Sequence, residues 1–300
     1  MGSINVSAED LHTALTREVR KLDSGTDWAR WLDAAALFPT YGFGNVVLIT
    51  LQMPQANWVA AAQAWERMGR KVREGRAIKI LAPVRSNVLV EKDGSSGIRG
   101  TIHNGIIGFK VAKVWDVAHT VGPPVTVPPV GRAAVADVWR ALSADVQKAG
   151  FQIDKRWVPA ETPSYTDYSD RRIVISNQLD TATAAAHLAH ELGHVRMHQS
   201  ASVGQVCGGI REIEADSFAH IALAYFGLSV EAPSFEALPG QASSAEPSSP
   251  ESVIKATGAR VVNAARNFLE TTGRRTSPAM QTAGIGLDVI WQAPPTGPEL

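Results

Sequence analysis

A single cysteine, Cys207, in 300 residues excludes an internal disulfide. No apolar run approaches the ~18 residues needed to cross a bilayer; the longest, Val46 to Leu51, is interrupted by Thr50. Net charge is also missing, because 29 Lys and Arg balance 29 Asp and Glu. The total therefore gives no sign of a polyanionic partner, although a balanced total can hide local patches. With the polar opening Met1-Gly2-Ser3-Ile4-Asn5, these absences lead us to expect a soluble, cytoplasmic chain with no membrane partner. What is present suffices to fold: 45% hydrophobic residues, in a length that allows roughly two domains of ~150 residues.

Periodicity orders the first part. Ser7 and Asp10 mark a helix start, and Leu11, Leu15, Val19 and Leu22 recur at helical spacing up to Asp23-Ser24-Gly25. A second helix is expected over 27–38 and another over 57–68, with strands at 78–84, 88–91 and 109–117 around an Asp93-Gly94 turn. Charge concentrates between Trp65 and Arg85, where Arg67, Arg70, Lys71, Arg73, Arg76, Lys79 and Arg85 face only Glu66 and Glu74. Basic side chains neutralise phosphates and aromatic faces stack unpaired bases, and this region offers both, with Tyr41, Phe43, Trp58 and Trp65 nearby. The competing reading is that these aromatics are core and the charges a solvated face.

Gly122-Pro123-Pro124-Val125-Thr126-Val127-Pro128-Pro129 is too proline-rich for helix or central strand and reads as a linker. Beyond it come a helix over 133–149, strands at 151–153 and 172–176, and Asp180 as the cap of an Ala- and Leu-rich helix. That helix carries His190-Glu191-Leu192-Gly193-His194. Two histidines four residues apart share one helical face, about 6 Å apart along the axis, and can converge on one metal ion. Glu191 beside them can act as general base toward a metal-bound water.

A catalytic zinc takes three protein ligands, so a third must come from downstream, where Glu212-Ile213-Glu214-Ala215-Asp216-Ser217-Phe218-Ala219 follows. Glu212 is assigned over Glu214. Asp216, four residues after Glu212, shares its face and can hold a histidine ligand by its free N–H, whereas Glu214 points about 160° away from Asp216. His198 lies about 12 Å along the axis from His190, too far to share the metal. His187 is expected in packing or solvent. His220 and Tyr225 are equal candidates for an oxyanion partner, and Cys207 is expected to be a buried neutral thiol. A His-His-Glu set suits zinc better than calcium or magnesium.

Two resemblances organise these observations. Tyr41-Gly42-Phe43-Gly44-Asn45-Val46-Val47-Leu48-Ile49, Gln52, Trp58, Ala64-Trp65, Gly69 to Gly75, Ile80 to Val84 and Val114 to Val117 resemble the N-terminal single-stranded-DNA-binding domain of ArdC-type antirestriction proteins. The resemblance implies a DNA surface including Tyr41, Asn45, Trp58, Trp65, Arg70, Lys71, Arg73 and Arg76, with single-stranded DNA as partner and duplex DNA as a further candidate. His190 to His194 followed by Glu212 to Ala219 resembles the two motifs of the ImmA/IrrE zinc metallopeptidases. Together they imply an α+β chain: a mixed α/β DNA-binding domain over 1–121, a linker over 122–130 and a zincin-like, gluzincin-type peptidase domain over 131–230. A Ser/Pro-rich stretch at 231–250 and a C-terminal helix with tail over 251–300 complete it.

The chemistry expected is peptide hydrolysis of a protein substrate. Zn2+ is held by His190, His194 and Glu212, Asp216 stands behind them, Glu191 is the base, and strand 172–176 is the edge on which the peptide lies. Two other readings stay open: a non-proteolytic DNA-binding protein with a structural zinc, and a regulatory protease that cleaves a repressor.

Overall fold

Ser7 opens the first helix, α1 (Ala8–Val19), through a reciprocal cap in which the Asp10 N–H donates to Ser7 Oγ (3.0 Å) and the Ser7 N–H to Asp10 Oδ2 (2.8 Å). This computed structural model describes residues 6–90, 101–125, 133–198, 209–228 and 249–272. Leu11, Leu15 and Val19 form the buried stripe of α1. Ser24 caps α2 (Gly25–Leu37), and the apolar run after Gly42 becomes α3 (Phe43–Gln52), in which Val46 to Ile49 are all buried.

The helix expected over 57–68 is shorter. Val59–Ala60 forms a strand, β1, and only Ala62–Arg67 is helical, α4. The Asp116 carboxylate accepts the N–H groups of Asn57 (2.7 Å) and Trp58 (3.0 Å), which holds this backbone extended against β4 (Thr101–Asp116). A short strand β2 (Lys71–Val72) pairs with β5 (Thr120–Val121), and β3 (Ile78–Val90) with β4 in a long antiparallel ladder bulged at Val84/Arg85. The expected Asp93-Gly94 turn falls outside the described residues.

After the proline-rich stretch, α5 (Val135–Lys148) leads into a three-stranded sheet of β6 (Gln152–Arg156), β7 (Ser164–Asp167) and β8 (Arg172–Ser176). Its order is β6-β8-β7, with β8 parallel to β6 and antiparallel to β7. Ile173 to Ser176 are buried, so β8 is the interior strand and β7 an edge. The expectation that 172–176 offers a free edge is corrected, since both its ladders are taken.

Three helices complete the fold: α6 (Thr181–Met197), α7 (Ile210–Phe226) and α8 (Pro250–Thr271). One apolar core runs through both halves of the chain, from Leu11 and Trp28 through Leu188 and Phe218 to Phe268. The Trp28 indole N–H donates to Ser217 Oγ at 2.9 Å, tying α2 to α7. Gly258 lets α8 lie against α3, because a Cβ there would sit 2.1 Å from the Phe43 ring. The fold is mixed helix and sheet, and no helix among the described residues is long and apolar enough to cross a membrane.

Candidate metal centre

Asp180 starts α6 by accepting the N–H groups of Ala182 (2.9 Å) and Thr183 (3.0 Å), which sets the register that puts His190 and His194 on one face. α7 crosses that face closely because Gly193 has no side chain. A Cβ there would meet Ala215 Cα at 2.9 Å and Ala215 O at 3.0 Å. The first turn of α7 thereby brings Glu212 beside the histidine pair.

The donor atoms converge. His190 Nε2 and His194 Nε2 are 3.0 Å apart, and Glu212 offers Oε2 to the first at 3.4 Å and Oε1 to the second at 3.5 Å. For a tetrahedral ion with bonds of ~2.0–2.1 Å the donor-to-donor edge is about 3.3 Å, so these separations fit a divalent transition metal held by all three. His190, His194 and Glu212 form the one such group among the described residues.

Each histidine is oriented from behind. Asp216 Oδ1 lies 2.6 Å from His190 Nδ1, which presents Nε2 to the metal position. His194 Nδ1 lies 3.1 Å from His198 Nδ1, and His198 Nε2 lies 2.8 Å from Glu214 Oε2. Glu214 is buried and also accepts from Arg260 Nε at 2.6 Å, which takes it out of the donor group. Burial pulls the His190 imidazole down, but its hydrogen bonds to Asp216 and Glu212 outweigh this and push its pKa up to about 10 in the metal-free protein. The same contacts with His190 and His194 hold Glu212 far below the usual carboxylate range against its burial. Burial also raises Glu214, yet His198 and Arg260 bring it below its ordinary value.

Glu191 lines a cleft of about 390 Å³, whose walls include Glu161, Pro163, Ser164, His187, His190, Asp216 and Ala219. Both its oxygens are fixed by hydroxyls of β7: Ser164 Oγ donates to Oε1 and Thr166 Oγ1 to Oε2, each at 2.7 Å. His187 Nδ1 is 3.1 Å from Ser164 Oγ, so this residue belongs to the cleft wall. Sequence reasoning missed Ser164, Thr166 and β7. Alternating hydroxyls in Ser164-Tyr165-Thr166 are the one local signal, and nothing in the stretch says which helix they face.

The remaining candidates are placed elsewhere. His220 Nε2 pairs with Asp33 of α2 at 2.7 Å, and Tyr225 packs edge-on against Phe226. Cys207 lies outside the described residues. Of the expected DNA contacts, four are core. Tyr41 is buried and donates to Val59 O at 3.1 Å, while the Asn45 amide bonds both backbone groups of Leu81 (2.9 and 3.0 Å). Trp58 and Trp65 are buried edge to face with centroids 5.6 Å apart, and Trp65 Nε1 donates to Trp115 O at 2.9 Å. These side chains therefore have no free face for a base, which corrects the stacking expectation. Arg70 is buried as well, its guanidinium on Thr120 Oγ1 (2.7 Å) and the carbonyls of Gly122 and Pro123. Lys71, Arg73 and Arg76 are exposed.

No curated protein matches the chain. Solved structures similar to it include the antirestriction ArdC protein from R388 plasmid in a metal-free form, at 16% identity and a TM-score of 0.43 over 79% of this chain and 86% of that one. Its Mn(II)-bound form aligns at 18% identity and the same TM-score over 79% of this chain and 90% of that one. Residues 149–233, the stretch that holds the β6–β8 sheet, α6, α7 and every donor of the centre, match the peptidase M78 family, described as the IrrE N-terminal-like domain.

Proposed function

We propose that this chain is a zinc-dependent peptidase whose catalytic half is directed to its substrate by DNA contacts of the N-terminal half, in antirestriction or another task of mobile elements. The observation that carries the reading is the juxtaposition of three donors at tetrahedral spacing with the hydroxyl-clamped Glu191 beside the same cleft. His190, His194 and Glu212 would hold the metal, which when bound polarises a carbonyl and acidifies water.

The chain's own residues account for the rest. Glu191 takes a proton from the attacking water and returns it to the leaving nitrogen. Ser164 and Thr166 each occupy one lone pair of its carboxylate, fixing the carboxylate plane and leaving one lone pair on each oxygen for that proton. Among the described residues no strand pairs with β7 on the side away from β8, so an extended peptide can add to it by main-chain hydrogen bonds beside Glu191.

For DNA, the exposed Lys71, Arg73 and Arg76 are joined by Lys113, which stands opposite Lys79 across the β3–β4 ladder. Basic side chains exposed on one half of the chain can neutralise a phosphate backbone. This makes the N-terminal contribution electrostatic, with the aromatics as its scaffold.

Glu191→Gln is the test. In metal-replete protein it should lower cleavage of a denatured protein mixture by about 10²–10⁴-fold with metal content unchanged. Equal cleavage by the variant would remove Glu191 from its role. A wild type that binds metal and cleaves nothing would favour a structural zinc.

A further inference from the structure

The two histidines of the centre are supported differently. His190 has its own carboxylate, Asp216, on α7. The Nδ1 of His194 faces another imidazole, His198, 3.1 Å away, and a carboxylate follows one step later, at Glu214, 2.8 Å from His198 Nε2. That carboxylate is buried and is balanced by Arg260 of α8, which reaches it through Nε at 2.6 Å and a second close contact from Nη2. Arg260 lies 46 residues beyond Glu214 and outside the stretch 149–233 that matches the peptidase family.

The order of donors and acceptors along this chain is determined from its two ends. Glu214, as a carboxylate held by Arg260, accepts only, so His198 Nε2 carries a hydrogen and donates. For His194 to offer Nε2 to a metal, its hydrogen sits on Nδ1 and is donated to His198 Nδ1, which accepts. The tautomer of His194 that results has its lone pair on Nε2, the atom that faces His190 and Glu212. Resting on the metal centre proposed above, we infer that Arg260, Glu214 and His198 are positioning residues that set the tautomer and ring orientation of His194, making α8 a structural part of the centre.

The geometry also says why α8 is held where it is. Its Gly258 sits over Phe43 of α3, and Thr257, one turn before Arg260, is fully buried. Arg260 Nη2 is 3.4 Å from Thr257 Oγ1, so the guanidinium approaches Glu214 from an anchored backbone. Displacing α8 would strand a buried carboxylate next to His198 and loosen the ring that His194 presents.

The experiment compares wild type, Arg260→Met, Arg260→Lys, Glu214→Gln and the double variant Glu214→Gln/Arg260→Met as full-length chains. Zn(II) affinity is read by chelator competition, and Co(II) by its visible absorption. Loss of an outer partner of a ligating histidine typically costs 10–100-fold in metal affinity, and we expect about tenfold for Arg260→Met and for Glu214→Gln. The double variant should be no weaker than either single change, because all three break one chain. Arg260→Lys should recover most of the affinity, and the Co(II) band should broaden in the two weakened single variants. The rise in melting temperature on adding Zn(II) should shrink in parallel, as mass action requires.

Should Arg260→Met be unstable, Glu214→Gln carries the test, since it leaves no buried charge behind. Unchanged metal affinity in folded variants, with only the metal-free melting temperature lowered, would overturn the inference and leave the centre itself intact. Wild-type binding that is insensitive to His194→Ala would instead overturn the centre, and the inference with it.

Discussion

Replacing Asp216 by Asn perturbs the centre at one hydrogen bond, and its effect should depend on pH in a particular way. Asp216 Oδ1 lies 2.6 Å from His190 Nδ1 and its side chain is 46% exposed. A hydrogen bond to a charged partner contributes about 1.5–3 kcal/mol when buried, and solvent screening at this exposure brings it to roughly 1 kcal/mol, about fivefold in metal affinity. The proton competes for the same ring. Because the His190 pKa stands at about 10 in the metal-free protein, a metal ion at pH 7 must displace a proton at a cost of roughly three decades in apparent affinity. Apparent affinity of the wild type should therefore rise close to tenfold per pH unit from 7 toward 10.

Asn at 216 weakens the hold on the proton as well as on the metal. At pH 7 the two losses offset, and the variant should bind nearly as well as the wild type. By pH 10, where proton competition has largely faded, the variant should trail by roughly threefold, approaching fivefold above it. Zn(II) titrations against a chelator of known pH dependence, from pH 7 to 10, measure the ratio directly. A ratio that stays constant over this range, or that narrows with rising pH, would refute the coupling of Asp216 to the His190 proton.

Other consequences follow from the same geometry. Gly193→Ala places a Cβ 2.9 Å from Ala215 Cα, a backbone clash that α7 can relieve only by moving. The expected cost is about 1–3 kcal/mol in stability together with weaker metal binding as Glu212 is carried away, read by thermal melting and chelator competition. A normal melting curve with normal affinity would contradict the close crossing. Substituting Lys71, Arg73 and Arg76 together by Gln should weaken single-stranded DNA binding and reduce its log–log salt slope by about 2. Trp65→Ala, by contrast, should lower stability by about 3–5 kcal/mol, since that ring is core. DNA affinity unaffected by the triple change would place the interface elsewhere.

What the sequence made legible is what local geometry dictates. Helical spacing alone places His190 with His194 and Glu212 with Asp216, because residues four apart must share a face. Asp180 could be read as a cap because the cap needs only the next three residues. Contacts made by distant segments were not legible. β7 supplies Ser164 and Thr166 to Glu191 from 27 and 25 residues away, and nothing in its hydroxyls names that partner. The aromatics misled for a physical reason. Trp58 and Trp65 have the composition of a base-stacking platform, and the Asp116 side chain that pins the backbone at Trp58 comes from 58 residues further along. Spacing put His198 too far along the helix to share a metal with His190, yet could not show that it leans on Glu214 and, through it, on α8.

The most direct measurement of the central claim is X-ray absorption at the zinc edge of the full chain loaded with one equivalent of Zn(II). Two imidazole nitrogens at ~2.0–2.1 Å, carboxylate and water oxygen at ~2.0–2.2 Å, and no sulfur are predicted, with one imidazole lost in His194→Ala. A shell containing sulfur, an all-oxygen shell, or a spectrum unchanged by His194→Ala would contradict the assignment of His190, His194 and Glu212 as the metal centre.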